Sequence, residues 1–212
     1  EYTQKKSIPT STFIDWAETT NIFSYLGVHY VDVMFYVTKA LPLRVSATGQ
    51  KKYLLSRGID TFDSIQCSIE WLSKDNHIFN QTIMCSWIES NKASSVSKQD
   101  FKFICSNGRI DCEQKKRGLT LLSDDYATED INPDFCRTYS SRDSLTIEGY
   151  GIDSILNFLS STCNSLSIPL DSRLCPFSQA SVSTAVIEAA NISLYNESKW
   201  QKIAGLNDNI IF

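Results

Sequence analysis

Residues 65–71 alternate without a break: Ile65, Cys67, Ile69 and Trp71 on one side, Gln66, Ser68 and Glu70 on the other. Residues 43–48 do the same, with Leu43, Val45 and Ala47 against Arg44, Ser46 and Thr48. A period of two is what a strand with one buried face requires, because successive side chains leave opposite sides of the backbone. A polar stretch at 73–77 (SKDNH) leads to a further run with Phe79, Ile83, Cys85 and Trp87 on one face. That pattern predicts an antiparallel hairpin. Residues 101–105 and 109–114 form another pair around Asn107-Gly108, a type I′ turn signal, and 119–122 read as an edge strand. The sheet is expected over about residues 43–122.

Helical spacing frames this strand run. Residues 21–38 are apolar nearly all round, which predicts a buried helix, and Pro42 stops it. Apolar residues recur at Ile152, Ile155, Leu156 and Leu159, and again at Val182, Ala185, Val186 and Ala189, with Pro176 at a helix-entry position. Residues 1–20 read as a connector and 123–146 as polar and irregular. Helix, strands, then helices make an α+β domain over 21–212, a large open, mostly antiparallel sheet with helices packed on one face.

The 212 residues are 42% hydrophobic and 21% charged, enough for a real core. A net charge of −4 does not favour nucleic acid or anionic membranes as partners, and Lys115-Lys116-Arg117 reads as a solvated turn beside Asp111 and Glu113. No stretch approaches the roughly 20 apolar residues of a membrane helix. The N-terminus carries no signal-type apolar segment and no Met, so an upstream part is expected. Seven Cys, an odd number with no CxxC, are expected to be reduced in a cytoplasmic protein. On the same view the Asn-x-Ser/Thr sites at Asn80, Asn191 and Asn196 are chance.

Much chemistry lacks its residues. The chain has no GxGxxG, GxxxxGK[ST], GxSxG or HExxH, and its two His, at 29 and 77, are too few for most histidine-built metal sites. Gly149-Tyr150-Gly151 is the nearest approach to a phosphate loop, and it lacks the third glycine; a tight turn into a helix is the plainer reading.

One helix does carry a chemical pattern. In Gly27-Val28-His29-Tyr30-Val31-Asp32, His29 and Asp32 stand three apart and share a helix face. A carboxylate there can orient an imidazole, the usual proton-transfer group near neutral pH. The competing reading is a core histidine and a packing or capping Asp.

The run "LGVHYVDVMFYVTKALPLRVSATG" resembles the start of the C-terminal domain in the glucose–fructose oxidoreductase/inositol dehydrogenase (Gfo/Idh/MocA) family, where a G-x-H-x-x-D helix precedes a Pro and a V-x-A-x-G strand. "NPDF" (132–135), "GYGIDSILNFL" (149–159) and "AVIEAANISLYNES" (185–198) resemble later landmarks in the same order. The resemblance spans roughly residues 16–203. It implies a dihydrodipicolinate-reductase-like C-terminal domain for substrate binding and dimerisation, with the Rossmann domain absent from these residues. It implies His29 as the acid/base for a substrate hydroxyl, Asp32 as its carboxylate neighbour, and Tyr25, Tyr30 and Trp16 as substrate-binding residues. Many members carry Asp at the position of Tyr25, so this chain departs from the pattern there. The resemblance further implies a small polar substrate (a sugar, sugar derivative or polyol) and a homodimer through the open sheet face. No cofactor is expected on this fragment, and NAD or NADP is expected in the full-length protein. The alternative is a non-catalytic small-ligand-binding or scaffold module of the same fold; an unrelated hydrolase has no motif behind it.

Overall fold

A computed structural model describes residues 1–114, 118–125, 129–131, 136–140, 145–149, 152–163 and 177–203. The Lys115–Arg117 turn, the 132–135 run, residues 150–151 and Pro176 lie outside the described residues. The chain divides into two units, Glu1–Phe101 with Phe177–Phe212, and Lys102–Pro176.

The first unit is built on strands β1 (Tyr2–Lys5), β2 (Leu41–Gln50), β3 (Ser64–Leu72), β4 (Ile78–Glu89), the first part of β5 (Ser97–Cys105) and the short β11 (Gln201–Lys202). They lie in the order β11-β2-β3-β4-β1-β5. Every neighbouring pair is antiparallel except β1 with β4. The predicted hairpin forms, and Ile65, Cys67, Ile69 and Trp71 pair with Cys85, Ile83, Gln81 and Phe79. The first three of these strand residues and Trp71 are fully buried, as are Val45 and Ala47 of β2. Burial pushes the Cys85 thiol up to about 12 and raises Cys67 as well, so both pack as small hydrophobes.

Helices α2 (Val28–Thr38) and α4 (Phe177–Tyr195) supply the cover. α4 packs on β2 and α2 packs on α4. The buried residues of α4 include Val182, Val186 and Ala189, three of the four in the predicted stripe. Helix α2 corrects the expectation of burial on all sides. Tyr30, Val31, Met34 and Phe35 are buried, whereas Tyr36 and Val37 are more than half exposed. Packing against the sheet and α4 uses only part of the circumference of α2.

Residues 1–20, read from the sequence as a connector, place β1 between β4 and β5, followed by a π-helical turn at Ile8–Thr12 and the one-turn helix α1 (Ile14–Ala17). Two buried indole N–H groups are satisfied by glutamines: Trp71 donates to Gln81 Oε1 and Trp87 to Gln4 Oε1, each at 3.1 Å. Leaving either donor dry would cost about 1–3 kcal/mol, which gives a polar residue a reason to sit in each buried strand position. The outward face of β2 and β3 is polar, with Arg44 on Glu70 through a two-pronged bond of 2.6 and 2.8 Å.

In the second unit β6 (Gly108–Glu113), β7 (Gly118–Ser123) and β8 (Glu129–Ile131) run antiparallel, and β9 (Cys136–Ser140) pairs with β10 (Leu145–Gly149). β8 and β9 fall in the stretch read as irregular and β10 begins at its end, and β7 is paired on both sides rather than lying at an edge. Helix α3 (Ile152–Thr162) follows the predicted spacing, but none of its residues is buried. The turn before β6 also differs. β5 ends at Cys105 and β6 starts at Gly108, so Ser106 and Asn107 form the loop, and Asn107 is not among the residues of positive φ. Gly108 is needed for another reason: at φ 145° a Cβ there would lie 2.2 Å from the Leu122 carbonyl oxygen of β7.

Candidate functional site

The site residues lie in the first unit, on the path from α1 into α2. Asn21 opens that path. Its Oδ1 accepts the N–H groups of Phe23 and Ser24 at 3.0 and 2.9 Å, the capping role expected of Asn before an apolar run. The chain then makes a π-helical turn at Phe23–Gly27 and continues as α2. Gly27 is required here, because a Cβ would come within 2.2 Å of the Phe23 ring. The helix ends where Lys39 takes a left-handed conformation and its N–H returns to the Phe35 carbonyl. Midway, Gln81 of β4 donates to the Tyr30 carbonyl at 2.8 Å and ties the helix to the sheet.

His29 and Asp32 are both exposed on α2. No hydrogen bond or ion pair among the described residues joins them. The imidazole neighbours the Tyr2 ring, with centroids 6.3 Å apart. Asp32 Oδ1 accepts from Ser183 Oγ of α4 at 3.5 Å. Tyr30 turns to the buried side, where its hydroxyl donates to the Glu1 carbonyl at 3.0 Å and its ring meets Tyr2 and Phe101.

Trp16 and Tyr25 do come together. Their rings meet edge to face at 5.1 Å, Phe13 closes on both at 5.5 and 5.8 Å, and buried Trp87 lies 6.1 Å from Tyr25. Trp16 is 40% exposed, so the cluster presents an indole face to solvent over a dry floor. Phe13 and Ser183 went unread in the sequence, and Trp87 was read only as an inward-facing strand residue. They come from an irregular segment, a distant helix and a strand, and no spacing links them to His29. Among the described residues no group of His, Cys, Asp and Glu gathers as metal ligands. None of the helices described is long and apolar enough to cross a membrane.

No family model and no curated protein sequence matches the chain. Solved structures do match its fold. An oxidoreductase from Sinorhizobium meliloti superposes with a TM-score of 0.66 at 13% identity, covering 94% of this chain and 54% of that one. UDP-N-acetylglucosamine 3-dehydrogenase from Acidithiobacillus ferrooxidans gives 0.56 at 11%, covering 93% and 53%. The scyllo-inositol dehydrogenase from Lactobacillus casei, solved with NAD(H) and scyllo-inositol, gives 0.51 at 10%, covering 96% and 56%. At such identities the likeness shows the fold: an α+β domain with a large open, mostly antiparallel sheet and helices on one side, as in oxidoreductases of the Gfo/Idh/MocA type. The chain spans about half the length of these solved chains.

Proposed function

We propose that the chain is the substrate-binding and subunit-pairing half of an NAD(P)-dependent oxidoreductase acting on a hydroxyl of a sugar, sugar derivative or polyol. The observation that carries the reading is the exposure of His29 and Asp32 on one helix, four and seven residues past Tyr25 of the Trp16 cluster. His29 takes the hydroxyl proton on oxidation and returns it on reduction. Asp32 orients the substrate. The half-exposed indole of Trp16 and the edge of Tyr25 offer an apolar wall to the C–H face of a ring. Tyr30 acts from behind, as packing under the helix.

NAD or NADP, bound elsewhere in the full-length protein, supplies the hydride chemistry. The sequence holds no GxGxxG of the kind that receives a pyrophosphate. His29 and Asp32 are open to solvent, which fits a nicotinamide presented from another domain. The full-length protein is expected to reduce NAD(P)⁺ with at least one member of a polyol and sugar panel. Cofactor binding without turnover on any of them would favour the second reading, a scaffold or ligand-binding module. The feature favouring that second reading is Tyr25, which fills with aromatic packing a position where the resemblance leads one to look for Asp. A cytoplasmic location goes with the proposal and fits the free thiols at Cys67, Cys85, Cys105 and Cys163.

Pairing through the open sheet face is part of the proposal. Exposed Ile78 and Met84 stand among polar neighbours on the outward side of β4, the mixed surface expected of an interface that also meets water. Light scattering of the full-length protein is expected to report two chains or a multiple of two, and a mass of one chain would rule the pairing out.

A further inference from the structure

Hydroxyl groups in this chain's helices mostly bond back along their own helix. Thr38 donates to the Met34 carbonyl, Ser160 to Leu156, Thr162 to Phe158 and Ser181 to Ser178. Such bonds are the ordinary resort of Ser and Thr inside a helix. Ser183 departs from them. It is 4% exposed, and its Oγ donates to Asp32 Oδ1, 151 residues away on α2. The turn that leads into α2 meets α4 through two further polar contacts: Asn21 Nδ2 donates to Asn191 Oδ1 at 2.8 Å, and Asn191 Nδ2 to Ser24 Oγ at 3.3 Å. A buried hydroxyl thus holds one carboxylate oxygen of the exposed Asp32.

We infer that Ser183 is a positioning residue for the active site, fixing the Asp32 carboxylate from behind so that its free oxygen serves the substrate. The inference rests on the roles given to His29 and Asp32 above. At 3.5 Å the contact is longer than the usual 2.5–3.0 Å of an O–H···O bond, so its strength follows the spacing of α2 and α4. Loss of the Ser183 hydroxyl is expected to lower kcat about 3- to 10-fold and leave KM for NAD(P) unchanged.

The test uses the full-length protein with Ser183→Ala, Ser183→Thr, Asp32→Asn and the Ser183→Ala/Asp32→Asn pair. Ser183→Thr keeps the hydroxyl and is expected to restore the rate. The double variant is expected to be no slower than Asp32→Asn alone, because Ser183 acts only through Asp32. Additive losses would show a structural role and overturn the inference, as would an unchanged rate in Ser183→Ala beside a slowed Asp32→Asn. Carbon-13 NMR of the Asp32 carboxyl keeps the question open to decision without turnover. Its signal is expected to move in Ser183→Ala and to stay in place in Ser181→Ala. If it stays in place in both, the contact is refuted whatever the enzyme does. If it moves but Asp32→Asn and His29→Ala turn over normally, the proposed function fails and the positioning of a catalytic group fails with it.

Discussion

His29→Ala in the full-length protein is expected to lower turnover by about 10²–10⁴-fold while NAD(P) affinity stays within twofold, the usual contribution of a general acid/base. The exposure of His29 makes the experiment clean. No core contact is lost, and only the tilted approach to Tyr2 disappears. Stability should therefore move by no more than about 0.5 kcal/mol, the range of surface substitutions. Asp32→Asn is expected to cost less, because it keeps the shape and one acceptor oxygen while removing only the charge. Stopped-flow or steady-state rates across a pH series distinguish a lost proton-transfer group from a lost contact. The first removes one limb of the profile; the second lowers the whole profile evenly. Full activity in His29→Ala would return the residue to a surface role and send the search for an acid/base to the Tyr25 hydroxyl.

The parts of the fold that were legible share one property: their signal lies within a single segment. The alternation at 65–71 and 79–87 states which side is buried, and the structure buries that side in an antiparallel hairpin. The i, i+3 spacing of His29 and Asp32 likewise needs nothing beyond the helix, and both emerge on its open side. Strand β1 was not legible. Its four residues, Tyr-Thr-Gln-Lys, have no apolar period, and it is a strand because β4 and β5 pair with it on either side. Gly108 shows a subtler limit. The glycine is required, but by the carbonyl of Leu122 on β7 and not by the turn chemistry of Asn-Gly. Distance in sequence hid the rest of the site. Trp16 and Tyr25 meet Trp87 only when α1, the π-helical turn and β4 are assembled, and Asp32 finds Ser183 only through the packing of α2 on α4.

Asp63 is the clearest case of a residue whose weight is visible only in three dimensions, and its replacement by Ala is expected to destabilise the protein by about 3 kcal/mol. Its carboxylate is 3% exposed and accepts three backbone N–H groups, those of Lys52 and Tyr53 at 2.7 Å each and of Leu54 at 2.8 Å. Its own N–H donates to the Gln50 carbonyl and its carbonyl accepts from Trp87. One residue thereby joins the end of β2, the loop at 52–54 and β4. Bonds to a charged acceptor contribute about 1.5–3 kcal/mol each. The full sum is not lost, because the N–H groups of Lys52 and Tyr53 lie near the surface and regain water. That of Leu54, a fully buried residue, does not. Asp63→Asn keeps one acceptor oxygen and should lose about half as much. Urea unfolding measures both, and a loss below about 1 kcal/mol in Asp63→Ala would show that the loop finds other partners. Because the Asp63 carbonyl also holds the backbone of Trp87, the indole beneath Tyr25 and the loop share this anchor. The alanine variant keeps that main-chain bond, so the aromatic cluster should survive where the 52–54 loop loosens, and amide exchange should rise at Lys52, Tyr53 and Leu54 well before it rises at Trp87.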